Sequence, residues 1–195
     1  MKIRPFAIIL LLTVSLAQSN YLNAQVSKAG DYKVKVTGTS TIHDWESDVE
    51  KLEYKTSYKI ENNELSDIKD AVLKITVESI KSTKGKVMDD KTYDAFNSEK
   101  YPFIIFILRS EEINTSDLTV NLTGSLEMAG TTKAIDLVAS YKVLANGDLQ
   151  IKGSKKVKMS EFNMTPPKAM MGTIKVGDEV TISFDIAVSN TTSIL

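Results

Sequence analysis

The sequence predicts an all-β fold: an antiparallel up-and-down β-barrel of about eight strands with one short helix. Strict alternation is the first observation behind this. Leu118, Val120, Leu122, Gly124, Leu126 and Met128 interleave with Thr119, Asn121, Thr123, Ser125 and Glu127. An extended chain therefore carries its apolar side chains there on one face only. The second observation is that the pattern recurs. Val180, Ile182, Phe184, Ile186 and Val188 share one face of Glu179–Ser189, and Ile135, Leu137, Ala139, Tyr141 and Val143 share one face of Thr132–Leu144. Turn chemistry between the runs is the third: Asn146-Gly147 and Gly130-Thr131 both suit tight hairpins. Closure into a barrel removes the unpaired edges that such long strands would expose. A two-sheet sandwich is the competing arrangement.

In chain order, residues 1–24 read as a secretory leader. Lys2 and Arg4 precede an apolar run, Phe6–Ala17, and small or polar residues lead to Ala24. That run is too short to cross a bilayer of about 30 Å as a helix. Residues 25–195 then form one domain of ordinary size. Early strands are expected at Tyr32–Gly38, Val49–Ile60 and Ala71–Ser79. Lys84–Asn97 reads as the helix: Met88, Tyr93 and Phe96 share a face, and Asp89 and Asp90 fall in an early turn where the helix dipole favours negative charge. Pro102 disfavours helix at Tyr101. Phe103–Leu108 is apolar on both faces, which predicts a strand covered on both sides. Residues 118–159 read as a three-stranded meander.

Composition excludes several functions. There is no cysteine, so no disulfide, no lipid-anchoring thiol, no thiolate nucleophile and no thiolate metal site. The whole chain carries 24 basic and 25 acidic residues; two of the basic ones are in the leader, leaving 22 against 25. No dense run of Lys or Arg points to nucleic acid or anionic lipid surfaces. The expected location is the periplasm or the medium.

Chemistry has little to stand on. His43, the only histidine, lies in Thr39-Ser40-Thr41-Ile42-His43-Asp44-Trp45-Glu46. A hydrolase would use it as a base with Ser40 as nucleophile and Asp44 or Glu46 to orient it. Neighbours on an extended chain point to opposite faces, which places Asp44 badly for that role. The simpler reading is a histidine at a strand end bonded to backbone. With one His and no Cys, a zinc site would need carboxylates, and Asp89-Asp90 lacks the spacing of a calcium loop. No phosphate loop, dinucleotide fingerprint or nucleophile elbow occurs. No enzymatic activity is expected, and no cofactor or metal is required.

Several pieces together resemble the YceI-like family. They are Gly38-Thr39-Ser40-Thr41-Ile42-His43-Asp44-Trp45-Glu46, Tyr101-Pro102-Phe103-Ile104-Ile105-Phe106, Leu122-Thr123-Gly124-Ser125-Leu126 with Gly130-Thr131-Thr132-Lys133, and Ser160-Glu161-Phe162-Asn163-Met164. In order they run from about Gly30 to Val188. The resemblance implies a lipocalin-like barrel, export, and an apolar interior that in some members holds a polyisoprenoid or an isoprenoid quinone. The His-Asp-Trp stretch departs from many members, which bears on the ligand more than on the fold.

The functional expectation is an exported binding protein for a long apolar lipid. Each methylene removed from water contributes ~0.8 kcal/mol, so such a chain needs little polar recognition. Phe103, Ile105, Leu122, Leu126, Leu137, Tyr141, Phe184 and Ile186 are expected to line the interior, with odd positions of Phe103–Leu108 taken as inward. Trp45 is also expected to contact the ligand, and Phe96, Phe162, Met170 and Met171 are expected at the ends, where the segment around Pro166-Pro167 is either an adaptable Met-rich rim or a loop plugging one end with its own side chains. A barrel filled by its own side chains, acting as a structural or interaction module, is the alternative. A homodimer is the one protein partnership entertained.

Overall fold

The computed structural model describes residues 27–28 and 32–189, so the expected leader lies outside the described residues. Among these residues there are twelve strands, all paired antiparallel, one α-helix and three short 3-10 segments. The strands are β1 (Ser27–Lys28), β2 (Tyr32–Ser40), β3 (Trp45–Val49), β4 (Leu52–Glu61), β5 (Glu64–Thr76), β6 (Ile80–Ser82), β7 (Phe103–Asn114), β8 (Thr119–Met128), β9 (Thr131–Val143), β10 (Leu149–Lys158), β11 (Lys168–Ala169) and β12 (Ile174–Val188). Helix α1 is Lys86–Phe96.

The sheet order β1-β4-β5-β7-β8-β9-β10-β12-β2-β3-β6 curls into a barrel. Its two ends meet because β3 runs on through Glu50 and Lys51 into β4. The β3 part pairs with β2 on one side and β6 on the other, whereas β4 pairs with β5. Counting β3 and β4 as one bent strand, eight long walls surround the interior. The single strand expected at Val49–Ile60 is therefore broken at its first residues. Likewise the strand expected at Ala71–Ser79 starts earlier, at Glu64, and gives way to a 3-10 turn at Val77–Ser79.

Alternation predicts the wall well. Val120, Leu122, Leu126 and Met128 of β8 are buried while Asn121, Thr123 and Glu127 are exposed. Strand β7 corrects the expectation of cover on both faces: Phe103 is 38% exposed and Ile107 39% exposed on the outer surface. A bulge between Leu108 and Ser110 shifts its register against β8.

The hairpins differ from expectation in detail. Between β8 and β9, Met128 pairs with Thr131, so the turn residues are Ala129 (φ 47°) and Gly130 (φ 75°) rather than Gly130-Thr131. Between β9 and β10, only Gly147 has positive φ, 86°. The Leu144 carbonyl accepts from the Gly147 N–H and the Leu144 N–H donates to the Asp148 carbonyl. That is a type I turn followed by a left-handed glycine, not a two-residue type I′ turn.

Helix α1 begins after Gly85 and ends at Asn97 in the left-handed conformation. Asp89 does more than meet the dipole: its Oδ1 accepts from the Ser82 backbone N–H at 2.6 Å, tying the first turns of the helix to the end of β6. Ser98 Oγ donates to Glu78 Oε1 at 3.2 Å just past the other end. The helix is thereby fixed across one mouth of the barrel.

Gly130 is required twice over, by its φ and by the Tyr101 ring, which a Cβ there would meet at 2.4 Å. Gly147 has positive φ but open space around it. Gly147→Ala is expected to destabilise by about 1 kcal/mol, the left-handed penalty alone. Gly130→Ala is expected to lose about 1–3 kcal/mol more through overpacking. Urea unfolding of both variants checks the order; equal losses would mean that Tyr101 moves aside freely.

Candidate functional site

The inward faces do not fill the space they enclose. A lower chamber of about 160 Å³ is lined by side chains from all eight walls. Val34, Leu52, Ile68, Phe106, Leu126, Ile135, Ile151, Phe184 and Ile186 are representative. Thr56 and Lys155 are the exceptions to an aliphatic and aromatic surface. An upper chamber of about 80 Å³ lies under α1, lined by Trp45, Met88, Phe96, Met128, Met159, Met164 and Pro167, with Ser47, Ser82, Lys91 and Thr92 as polar groups. Val36, Ile80, Ile104 and Ile182 border both chambers, so these four form the neck between them. Apolar cavities of ~150 Å³ stay dry and admit a small hydrocarbon. The lower chamber is an apolar slot enclosed by eight strands.

The expected lining and end residues divide into four groups. Leu122, Leu126, Leu137, Phe184 and Ile186 border the lower chamber, and Trp45 and Phe96 the upper one. Phe103 and Ile105 do not reach the interior: the even residues Ile104, Phe106 and Leu108 do. The reason is register. Phe106 pairs with Leu126 and Leu108 with Gly124, both inward, which sends Phe103 outward where Lys74 Nζ sits 4.2 Å from its ring centroid. Gly124 makes room for Phe106, whose ring a Cβ would meet at 2.4 Å. Tyr141 and Phe162 are buried but border neither chamber. Met170 and Met171 are exposed, 73% and 108%, and do not form the rim. Met88, Met128, Met159 and Met164 line the upper chamber instead. Two of these, Met128 and Met159, could have been found by continuing the inward parity of β8 and β10 to their ends.

Trp45 owes its place to β2. It stands opposite Gly38 in the β2–β3 ladder, a Cβ on Gly38 would meet its ring at 2.5 Å, and its Nε1 donates to the Thr39 carbonyl at 3.1 Å. His43 lies outside the chambers and is exposed. Its Nδ1 is 2.9 Å from the Asp44 backbone oxygen. Ser40 Oγ donates to the His43 carbonyl at 2.7 Å and accepts from the Ile42 and His43 N–H groups. The hydroxyl is committed to the turn, not to the imidazole. Glu46 pairs with Lys35 at 3.0 Å on the outer surface, and this bond first, then Asp48, holds the Lys35 ammonium above its ordinary range. Among the described residues, no group of three or more His, Cys, Asp or Glu could hold a metal ion, and no helix is long and apolar enough to cross a membrane.

The far end of the barrel is closed by aromatic side chains. Tyr58 Oη donates to the carbonyls of Gly147 and Val188, both at 3.1 Å, and Tyr54 Oη accepts from the Ser189 N–H. The Tyr141 hydroxyl is buried there without a hydrogen-bond partner among the described residues.

The sequence pattern of the YceI-like domain matches residues 18–188. The chain belongs to the YceI-like family. Its fold is similar to that of Burkholderia cenocepacia BcnA, at 21% identity over 81% of this chain and 96% of that one, with a TM-score of 0.66. A polyisoprenoid binding domain from Saccharophagus degradans, implicated in plant cell wall breakdown, matches at 13% identity over 82% and 94%, TM-score 0.62. The Campylobacter jejuni YceI protein matches at 18% identity over 75% and 85%, TM-score 0.58. No curated protein matches the chain. The YceI-like barrel, expected from alternation and from four short motifs, is thus shared by proteins with little sequence in common.

Burial first, and the Glu64 carboxylate second, raise the Tyr141 hydroxyl above its ordinary pKa of 10.0. The unfolded chain releases this proton near pH 10 while the folded protein keeps it. The unfolded state then binds fewer protons, so stability falls as pH rises above 10. Tyr141→Phe removes both the orphan hydroxyl and this loss. It is expected to stabilise by about 1 kcal/mol at neutral pH, with a larger advantage at pH 11, read by urea unfolding at both. A destabilised variant would show that the hydroxyl has found a partner.

Proposed function

We propose that this YceI-like protein is an exported, non-catalytic binding protein that holds one long apolar lipid, a polyisoprenoid or an isoprenoid quinone, threaded through the lumen. The observation that carries the reading is the lower chamber: space walled by aliphatic and aromatic side chains from every long strand, and left unfilled. At ~24 cal/mol per Å³, an empty apolar cavity of 160 Å³ costs a fold about 4 kcal/mol. That is a large share of a typical stability of about 5–15 kcal/mol. A guest that fills the slot returns this energy as affinity and needs few polar contacts. The neck and the Met-rich upper chamber extend the path for a chain longer than the slot, and methionines adapt to irregular shapes. The Saccharophagus degradans domain with the same fold is a polyisoprenoid binder by its name. Export is supported by the basic start and apolar run at Lys2–Ala17. A barrel filled by its own side chains fits the unfilled chamber poorly.

Organic extraction of the protein purified from its own cells, followed by mass spectrometry, is expected to yield a polyprenyl or quinone lipid. Leu126→Trp places a ring in the slot. It is expected to remove most of the lipid, with an overpacking loss of about 1–3 kcal/mol, while Phe103→Ala on the outer face keeps the lipid. Absence of any bound lipid, together with no uptake of isoprenoids offered to the purified protein, would sink the proposal.

A further inference from the structure

The barrel wall has a seam. The β9–β10 ladder ends at Ala139 opposite Gly153, although β9 begins at Thr131 and β10 continues to Lys158 against β12. Residues 131–138 therefore present a strand edge to β10 without a ladder. Lys155 stands at this gap. It shares inward parity with Ile151 and Val157, its stem borders the lower chamber, and its Nζ crosses the seam to donate to the Asp136 carbonyl at 2.5 Å.

Charge around the lumen is one-sided. The lower chamber has one ionisable cation in its lining, Lys155, and the upper chamber one, Lys91; no carboxylate lines either. The chain as a whole carries slightly more acids than bases, so composition does not produce this bias. The neighbouring lysines of β10 are neutralised: Lys152 pairs with Asp185 and Lys156 with Glu179, both at 2.8 Å. Lys155 has no carboxylate within 4 Å among the described residues. An ammonium has three N–H donors. One is placed on Asp136 in a solvent-exposed bond, and two remain free at the outer mouth of the seam, where they can receive an anion by charge-assisted hydrogen bonds. Lys91, by contrast, reaches out of the upper chamber to the Lys168 carbonyl at 3.1 Å.

We infer that, among the lipids the lumen can hold, the protein favours an acidic amphiphile over its neutral counterpart, the carboxylate or phosphate headgroup being received by Lys155 at the β9–β10 seam and the tail laid in the lower chamber. This rests on the reading that a lipid occupies the lumen. From Lys155 to Leu149 the strand covers roughly 20 Å, room for a tail running toward the closed end.

The test uses the delipidated protein and matched pairs of probes: cis-parinaric acid against its methyl ester, and geranylgeranyl phosphate against geranylgeraniol. The wild type is expected to prefer at least one charged member by about tenfold, the worth of one partly desolvated ion pair. A preference in the first pair assigns a carboxylate head, in the second a phosphate. Lys155→Met is expected to reduce the preference to about twofold or less, Lys155→Arg to keep it, and Lys156→Met to leave it unchanged. Equal binding of charged and neutral members by the wild type overturns the inference while leaving the lipid reading intact, and this arm requires no variant to fold. A preference that survives Lys155→Met, or that Lys91→Met abolishes, overturns the assignment to the seam. Failure to bind any of the four probes overturns both readings.

Discussion

Successive side chains of an extended chain point to opposite faces, and everything else in this molecule follows from that alternation being wrapped around an axis. Each long strand must present one apolar and one polar face, and the curl turns the apolar faces toward one another. With eight walls the radius is near the limit at which side chains can meet across the centre. Here the inward positions are dominated by Val, Ile and Leu, with Gly124, Ala71 and Gly153 among them. They cover the wall and stop short of the axis. At the far end, Tyr54, Tyr58 and Tyr141 do reach across, and the barrel is closed there. The length of the inward side chain, layer by layer, sets where the molecule is solid and where it is hollow.

Much of this was legible in the sequence where only one face is apolar. Strands β8, β9 and β12 and the inward roles of Leu122, Leu126, Leu137, Phe184 and Ile186 follow from period-two patterning alone, because a one-residue slip would bury Asn121, Thr123 or Asp185. The helix was legible from Met88, Tyr93 and Phe96. Strand β7 was not, since Phe103–Leu108 is apolar at every position and no local signal breaks the tie. The partner strand breaks it: Leu126 and Gly124 are inward, so Phe106 and Leu108 must be. Parity failed differently at Met170 and Met171. They lie in a segment without a strand period, and hydrophobicity alone could not tell an exposed connection from a rim.

Lys155 shows a further limit. In Lys152-Gly153-Ser154-Lys155-Lys156 a lysine reads as solvent-facing, and for Lys152 and Lys156 that is right. Lys155 has inward parity, but only the loss of the β9–β10 ladder gives its ammonium somewhere to go. Its position is a property of two strands diverging, which no single strand encodes. Trp45 is the opposite case. Its place is set by one close partner, Gly38, and the two are fixed together by the β2–β3 register.

The seam also answers a problem that it creates. An unladdered edge of eight or so residues, with Val138 61% exposed beside it, is the kind of surface that recruits a strand from another molecule. Charged side chains along both lips, Lys133 and Asp136 on β9 and Lys156 and Lys158 on β10, oppose that. Lys155 caps one of the free carbonyls, that of Asp136. A complete ladder would have satisfied the same groups with backbone alone and sealed the lumen along its flank. Keeping the strands apart gives up several backbone hydrogen bonds, each worth about 1 kcal/mol net, and leaves in their place a lateral gap with the Lys155 ammonium across it. A solid core has no use for such a gap, whereas the proposed lipid lumen has one: a place for a chain to enter and for its polar end to rest.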